Sequence, residues 1–151
     1  MDFSKTKPLD LLDESQISEL RQKKDFRNVL ALSFDWGMMA FGFYIFYAYP
    51  SVITFLVSVI IIGSRQFALA VLAHDGAHNL LFSNLKVNDF VAQWFCAYPI
   101  FQDNRVYRPY HLKHHRYTET DKDPDLSLSA PFPITKKSFL RKVFRDLIGL
   151  T

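Results

Sequence analysis

The chain has 151 residues, with 22% charged and 49% apolar side chains, a formal net charge of +3 and one cysteine. Its 24 aromatic residues exclude a disordered polymer, the small net charge dispersed among acids argues against a nucleic-acid partner, and Cys96 alone excludes an internal disulfide framework. The mean hydropathy near zero hides a segregation, because Val29–Ala73 carries two charges, Asp35 and Arg65, while the flanks hold nearly all the others.

Residues 1–28 hold six Lys/Arg and six Asp/Glu without the apolar run of a secretory signal, and are expected to form a cytoplasmic N-terminal segment. Within it, Asp13 with Gln16 has the pattern of a capping box for a short helix carrying Leu12, Ile17 and Leu20 on one side. Residues 29–49 are apolar and aromatic for 21 residues, which at ~1.5 Å per residue reaches roughly the 30 Å of a hydrocarbon core. That predicts transmembrane helix 1, with Tyr44, Tyr47 and Tyr49 at headgroup level and Pro50 as the breaker. Asp35 is costly in lipid and is expected to face protein. Transmembrane helix 2 is predicted over 52–73, where Arg65 is read as a structural arginine paired with a carboxylate such as Asp35 or with a headgroup.

The turn between these helices is nearly chargeless, whereas 17 of the 18 Lys/Arg lie before Val29 or after His74. The positive-inside rule therefore predicts a hairpin with both flanks cytoplasmic. Asn88 and Asp89 offer an N-cap for Phe90–Tyr98, a stretch of about ten residues that falls short of the ~17 needed to span a bilayer. It is expected to be interfacial or re-entrant, which leaves His74 and His111 on one face of the membrane. Phe139–Leu150 reads as a basic amphipathic helix on an anionic surface. The expected fold is an all-α integral membrane protein. It comprises one incomplete domain, a transmembrane hairpin followed by a cytoplasmic or interfacial part over 74–151.

All five histidines fall in two clusters, His74-Asp75-Gly76-Ala77-His78 and His111-Leu112-Lys113-His114-His115. On a helix, positions i and i+4 share a face, so His74 and His78 can address one point, as can His111, His114 and His115. Pro109 suits the first turn of the second helix. Neutral imidazoles suit iron, copper or zinc and suit calcium or magnesium poorly, and five of them point to more than one ion. An isolated histidine is usually only a satisfied polar residue, but five at metal-ligand spacing are not explained that way. Asp75, Asp121, Asp123 and Asp125 are candidates for carboxylates that orient imidazoles, with surface charge the plainer alternative. Arg105, Arg108 and Lys113 read first as solvated charges beside an anionic leaflet, and otherwise as attractors of an acidic donor protein or acyl headgroup.

HDGAH at the end of a membrane helix, followed after about thirty residues by YRPYHLKHHRYTETDKDPD, resembles the first two histidine boxes, HxxxH and HxxHH, of the membrane fatty acid desaturases. The likeness runs from Arg65-Gln66 to Asp125. It implies a double bond placed in an acyl chain, with two irons as cofactor and His74, His78, His111, His114 and His115 among their ligands. The implied partners are a membrane lipid or a carrier-linked fatty acid, O2, and an electron donor of ferredoxin or cytochrome b5 type. The family's third box follows a second pair of transmembrane helices, neither of which is reached by Thr151. The chain therefore resembles the N-terminal half of a desaturase and is expected to be inactive alone.

Rival readings are a related membrane di-iron hydroxylase or carotenoid ketolase, and a non-enzymatic membrane metal-binding protein. An intramembrane zinc protease needs a Glu where HDGAH has Asp75, and leaves HxxHH unexplained. A bis-His haem site takes one ligand from each of two helices rather than adjacent pairs.

Overall fold

The computed structural model describes residues 12–150; the part of the expected N-terminal segment before Leu12 lies outside the described residues, as does Thr151. The elements in chain order are α1 (Glu14–Leu20), α2 (Asp25–Ala48), α3 (Val52–Ala77), α4 (Leu85–Val91), a π-helical segment (Ala92–Ala97), a 3-10 turn (Tyr98–Ile100), α5 (Asn104–Tyr117), α6 (Leu126–Ser129) and α7 (Lys136–Leu147). No strand occurs among the described residues, so the fold is all-α. Two compact units are present, Met1–Arg108 and Pro109–Thr151.

In the first unit, α1 carries the capping box expected from Asp13 and Gln16. Two helices of this unit are long and apolar enough to cross a membrane. They run antiparallel, since Phe46 meets Phe55, Ser58 Oγ donates to the Gly42 carbonyl at 2.7 Å, and Arg65 meets Asp35. Gly42 is what lets them close: a Cβ there would lie 3.1 Å from Ile62 Cγ1. Most of their bulky residues, among them Phe34, Phe43, Tyr47, Ile53, Ile60 and Phe67, are exposed, the distribution expected of helices solvated by lipid.

Both helices exceed their expected bounds for local reasons. α2 begins at Asp25, four residues before Val29, and the Asp25 carboxylate accepts from Ser83 N at 2.8 Å and Ser83 Oγ at 2.9 Å. α3 continues beyond Ala73 and takes His74 into its last turn.

The core lies against the C-terminal half of α3. Leu69, Ala73 and Ala77, at helical spacing, are fully buried, as are Ala92, Cys96 and Ala97 of the π-helical segment. Small residues on both sides permit that close approach. The cap of α4 differs from expectation: Asn84 rather than Asn88 or Asp89 accepts from Lys86 N and Val87 N. Asn88 is instead fully buried, its Oδ1 accepting from Leu81 N at 3.1 Å and Phe82 N at 3.2 Å.

α5 starts earlier than Pro109 because its first N–H groups are satisfied upstream. Asn104 N donates to Gln93 Oε1 at 3.1 Å and Arg105 N to Asp103 Oδ1 at 2.8 Å. Pro109 thus lies inside the helix. In the second unit, Thr135 caps α7, which begins three residues before Phe139, and no residue of that helix is buried. Phe139, Leu140, Phe144 and Leu147 remain exposed along it.

Asp35 is 5% exposed and its Oδ1 accepts from Arg65 Nη1 at 3.0 Å, while the guanidinium also lies over the Phe34 ring. Removing one partner of such a pair strands a buried charge, at a cost of about 3–5 kcal/mol, whereas removing both is often neutral. Arg65→Leu should lower the midpoint of SDS-induced unfolding in micelles sharply, and Asp35→Leu combined with Arg65→Leu should restore most of it. A single variant as stable as the double one would show that the pair does not hold the hairpin.

Candidate metal centre

The first histidine pair is set by the way α3 stops. His78 is the C-cap and Asn79 follows in the left-handed region at φ 60°. Leu80 N donates to the Asp75 carbonyl at 2.8 Å and Asn79 N to the Gly76 carbonyl at 3.0 Å, the two bonds of a Schellman motif. His74 and His78 therefore occupy the last turn, and their ring centroids are 4.7 Å apart.

Gly76, between them, is the point where that turn is fastened. Its carbonyl accepts from Asn88 Nδ2 at 2.9 Å and from Arg108 Nη2 at 2.9 Å, besides the Asn79 N–H. Any side chain at this position would overlap Ala92, because a Cβ would fall on the Ala92 Cβ. Arg108 also grips Asp89, and that hydrogen bond holds the Asp89 carboxyl below its ordinary range. The sequence reads Arg108 as a solvated charge or an attractor of an acidic partner or headgroup, and Asn88 as a helix cap; neither reading reaches their bonds to Gly76. The available signal was the glycine inside HDGAH, which demands a close neighbour, though not which one.

The second set lies in the other unit, on the last turns of α5. His111 and His115 have ring centroids 4.5 Å apart, and their Nε2 atoms approach to 2.9 Å. Two ligands at ~2.1 Å from one ion span about that distance at right angles. His114 stands 6.2 Å from His111 and 5.6 Å from His115 by ring centroid, and is turned to carboxylates. Its Nδ1 lies 2.8 Å from Asp123 Oδ1 and 3.5 Å from Asp125 Oδ2. Asp123 is buried and pinned, accepting from Glu119 N at 2.9 Å and Asp125 N at 2.8 Å. Asp125 in turn accepts from the Tyr110 hydroxyl, which raises the tyrosine's pKa.

These bonds favour the protonated form of His114. The Asp123 hydrogen bond, against opposing desolvation, raises its pKa above the ordinary 6.5. Burial pushes Asp123 upward, but the bonds from His114 and from the Asp125 and Glu119 amides outweigh it and hold the carboxyl below 3.8. With Nδ1 committed to Asp123, His114 presents Nε2 outward, as an imidazole oriented by a carboxylate does at a metal. Of the other candidate carboxylates, Asp75 lies 3.5 Å from His74 Nδ1 and Asp121 sits in an exposed turn.

The His74–His78 pair and the His111–His115 pair each bring two imidazoles together, a donor chemistry that fits a first-row transition metal, while His114 does not share the point expected of it and faces Asp123 and Asp125 instead. The fatty acid desaturase family profile matches residues 50–151. The dihydrorhizobitoxine desaturase of Bradyrhizobium elkanii is 42% identical over 71 residues, covering 46% of this chain and 20% of that protein. The chain therefore spans about a fifth of the length of this curated relative. No solved structure matches.

Two tests follow from the local geometry. Gly76→Ala should destabilise by about 1–3 kcal/mol as an overpacked core site does, and adding Ala92→Gly should recover most of the loss in micelle unfolding. An innocuous Gly76→Ala would remove the close contact as a determinant of the turn. In the metal-free chain, the stabilisation from raised His114 is complete below 6.5 and fades as pH climbs through its higher folded value. That from lowered Asp123 is present above 3.8 and fades as pH falls through its folded value. Asp123→Asn should move the His114 midpoint down in imidazole NMR titrations, and an unmoved midpoint would contradict the pairing.

Proposed function

The chain belongs to the fatty acid desaturase family, and from that premise we propose that it is part of a membrane-bound, iron-dependent desaturase acting on an acyl chain. The observation that supports this reading most directly is the all-imidazole donor set placed where a long apolar helix ends. An enzyme that must meet both a water-insoluble chain and soluble electron carriers needs its ligands at that boundary. The exposed apolar faces of α2 and α3 offer the environment an acyl chain requires.

In this reading His74, His78, His111, His114 and His115 together hold iron, as part of a larger ligand set of two ions. Iron bound there would supply the activation of dioxygen and the oxidation of an unactivated C–H bond. The overall change balances as two hydrogens leaving adjacent carbons while O2, with two electrons and two further protons, becomes two waters. A ferredoxin or cytochrome b5 type donor supplies the electrons. The chain's own residues orient and restrain. Asp123 fixes the His114 tautomer, and the Gly76 carbonyl with Arg108 and Asn88 holds the last turn of α3 in place. Imidazoles ligate only when unprotonated, so loading falls as pH drops. In this proposal both histidine sets are cytoplasmic in a multi-pass protein, a reading that the basic flanks support.

The reading is tested in membranes carrying the full-length gene product. It should contain iron that chelators remove with loss of activity, and should yield an alkene from an acyl substrate. His78→Ala and His111→Ala should each lower iron content and reduce alkene formation at least a hundredfold while membrane insertion persists. An alcohol or ketone product would move the enzyme to the hydroxylase or ketolase class. Undiminished iron and activity in both variants would overturn the ligand assignment.

A further inference from the structure

In the second unit, α5 carries its histidines on one side and an unpaired basic face on the other. Pro109, Leu112, Lys113, Arg116 and Tyr117 recur at intervals of three and four and line an open groove along the helix. At about 100° per residue, that row stands about 180° round the helix from His111, His114 and His115. Pro109, Leu112, Lys113 and Arg116 are exposed, and neither cation has an ion pair among the described residues. Lys122 extends the row, its Nζ standing 5.7 Å from the centre of the Tyr117 ring. The helix itself contains no carboxylate, and Asp123 and Asp125 are turned to His114 and Tyr110. In sequence Arg108 and Lys113 read alike; in the structure Arg108 is held by Asp89 and the Gly76 carbonyl, whereas Lys113 remains on the surface.

Three cations around a small apolar centre, Pro109 and Leu112, have the make-up of an electrostatically steered protein interface, in which charge governs encounter and a desolvated middle holds the complex. A lipid surface fits this face poorly. An interfacial helix needs a broad apolar side that enters the acyl boundary, as α7 offers with Phe139, Leu140, Phe144 and Leu147, whereas the α5 row has Leu112 as its only bulky aliphatic residue. Position supplies the partner's role. An α-helix with its side chains is about 10–12 Å across, so a protein seated on this row is separated from the imidazoles of His111, His114 and His115 by a single helix. We propose that the Lys113–Arg116 face of α5 is the docking surface for a small acidic electron-carrier protein. Two successive encounters, each oxidising one reduced carrier by one electron, supply the two electrons that the conversion of O2 to water requires beside the two hydrogens of the substrate. The carrier's role rests on the desaturase reading, while the charge and shape of the face do not.

The test is surface plasmon resonance on the full-length gene product in phosphatidylcholine nanodiscs, with two acidic probes, a plant-type ferredoxin and the soluble domain of a cytochrome b5. At least one should bind at low ionic strength, and more weakly as salt rises. Lys113→Glu combined with Arg116→Glu should weaken that binding at least tenfold and flatten its salt dependence, with iron content retained. The milder Lys113→Ala with Arg116→Ala should weaken it about threefold, and Lys136→Glu, on α7, should leave it unchanged. Cys96 is buried, so a fluorophore on Leu112→Cys reports the groove. Its emission should shift to the blue when carrier is added, and should stay put when phosphatidylglycerol replaces phosphatidylcholine in the discs. Failure of both probes to bind, or equal affinity of the charge-reversed and unmodified proteins, would overturn the proposal. A blue shift with phosphatidylglycerol alone would overturn it in favour of a headgroup contact. Binding is read without turnover, which separates the two readings. Charge-dependent carrier binding by a protein without iron would refute the desaturase reading and leave the docking surface standing, whereas iron and alkene formation with charge-insensitive carrier binding would refute the docking surface alone.

Discussion

The carbonyl of Gly76 is the constraint on which the first histidine pair depends. A helix that carries two potential ligands in its final turn has a difficulty, since final turns fray and their carbonyls lack intrahelical partners. Here the Schellman closure at Asn79 takes two of those carbonyls, and the Asn88 amide and Arg108 guanidinium converge on one of them from elements distant in sequence. The absence of a Cβ at Gly76 is what permits this, because Ala92 occupies the space a side chain would need. The turn bearing His74 and His78 is therefore anchored by tertiary bonds rather than by helix propensity.

That anchoring has a second consequence for charge. Arg108 is drawn to the Gly76 carbonyl and to Asp89, so its positive charge is largely spent within the fold. In the hairpin, Arg65 and Asp35 cancel each other in the same manner. Chains of mixed charge that meet apolar surroundings face a simple alternative, to pair internally or to reach water. Both of these arginines pair internally, and the cations along α7 are left on an unburied helix.

Much of the architecture was legible in the sequence because it rests on one-dimensional signals. Hydropathy located α2 and α3, a capping box located α1, and the i, i+4 spacing of each box located the paired imidazoles. The expense of an isolated charge in lipid left Asp35 and a headgroup as partners open to Arg65, and the structure pairs it with Asp35. What sequence could not deliver were the partners of particular polar groups. Asn88 and Asp89 read as caps, whereas Asn84 takes that role and Asn88 is buried, bonded to the Leu81 and Phe82 amides. Pro109 looked like a helix start because the upstream caps, Gln93 and Asp103, act from a loop and from a neighbouring element. Of the four aspartates near the histidines, Asp123 and Asp125 read alike as letters. Asp123 stands apart through burial and two backbone amides that aim it at His114.

The last distinction bears on how an HxxHH motif divides its labour. Spacing alone makes His111, His114 and His115 three equal members of one arc. In the structure they are not equal, since His111 and His115 bring their Nε2 atoms together while His114 commits Nδ1 to a carboxylate held by a tyrosine-backed turn. An imidazole so held has a fixed tautomer and a stronger donor nitrogen, whereas the other two meet at a point that a cation could occupy. The motif thus pairs two convergent imidazoles with one that is oriented from behind. The acidic stretch following the box, which in sequence looks like an ordinary polar turn, supplies the carboxylate that makes the difference.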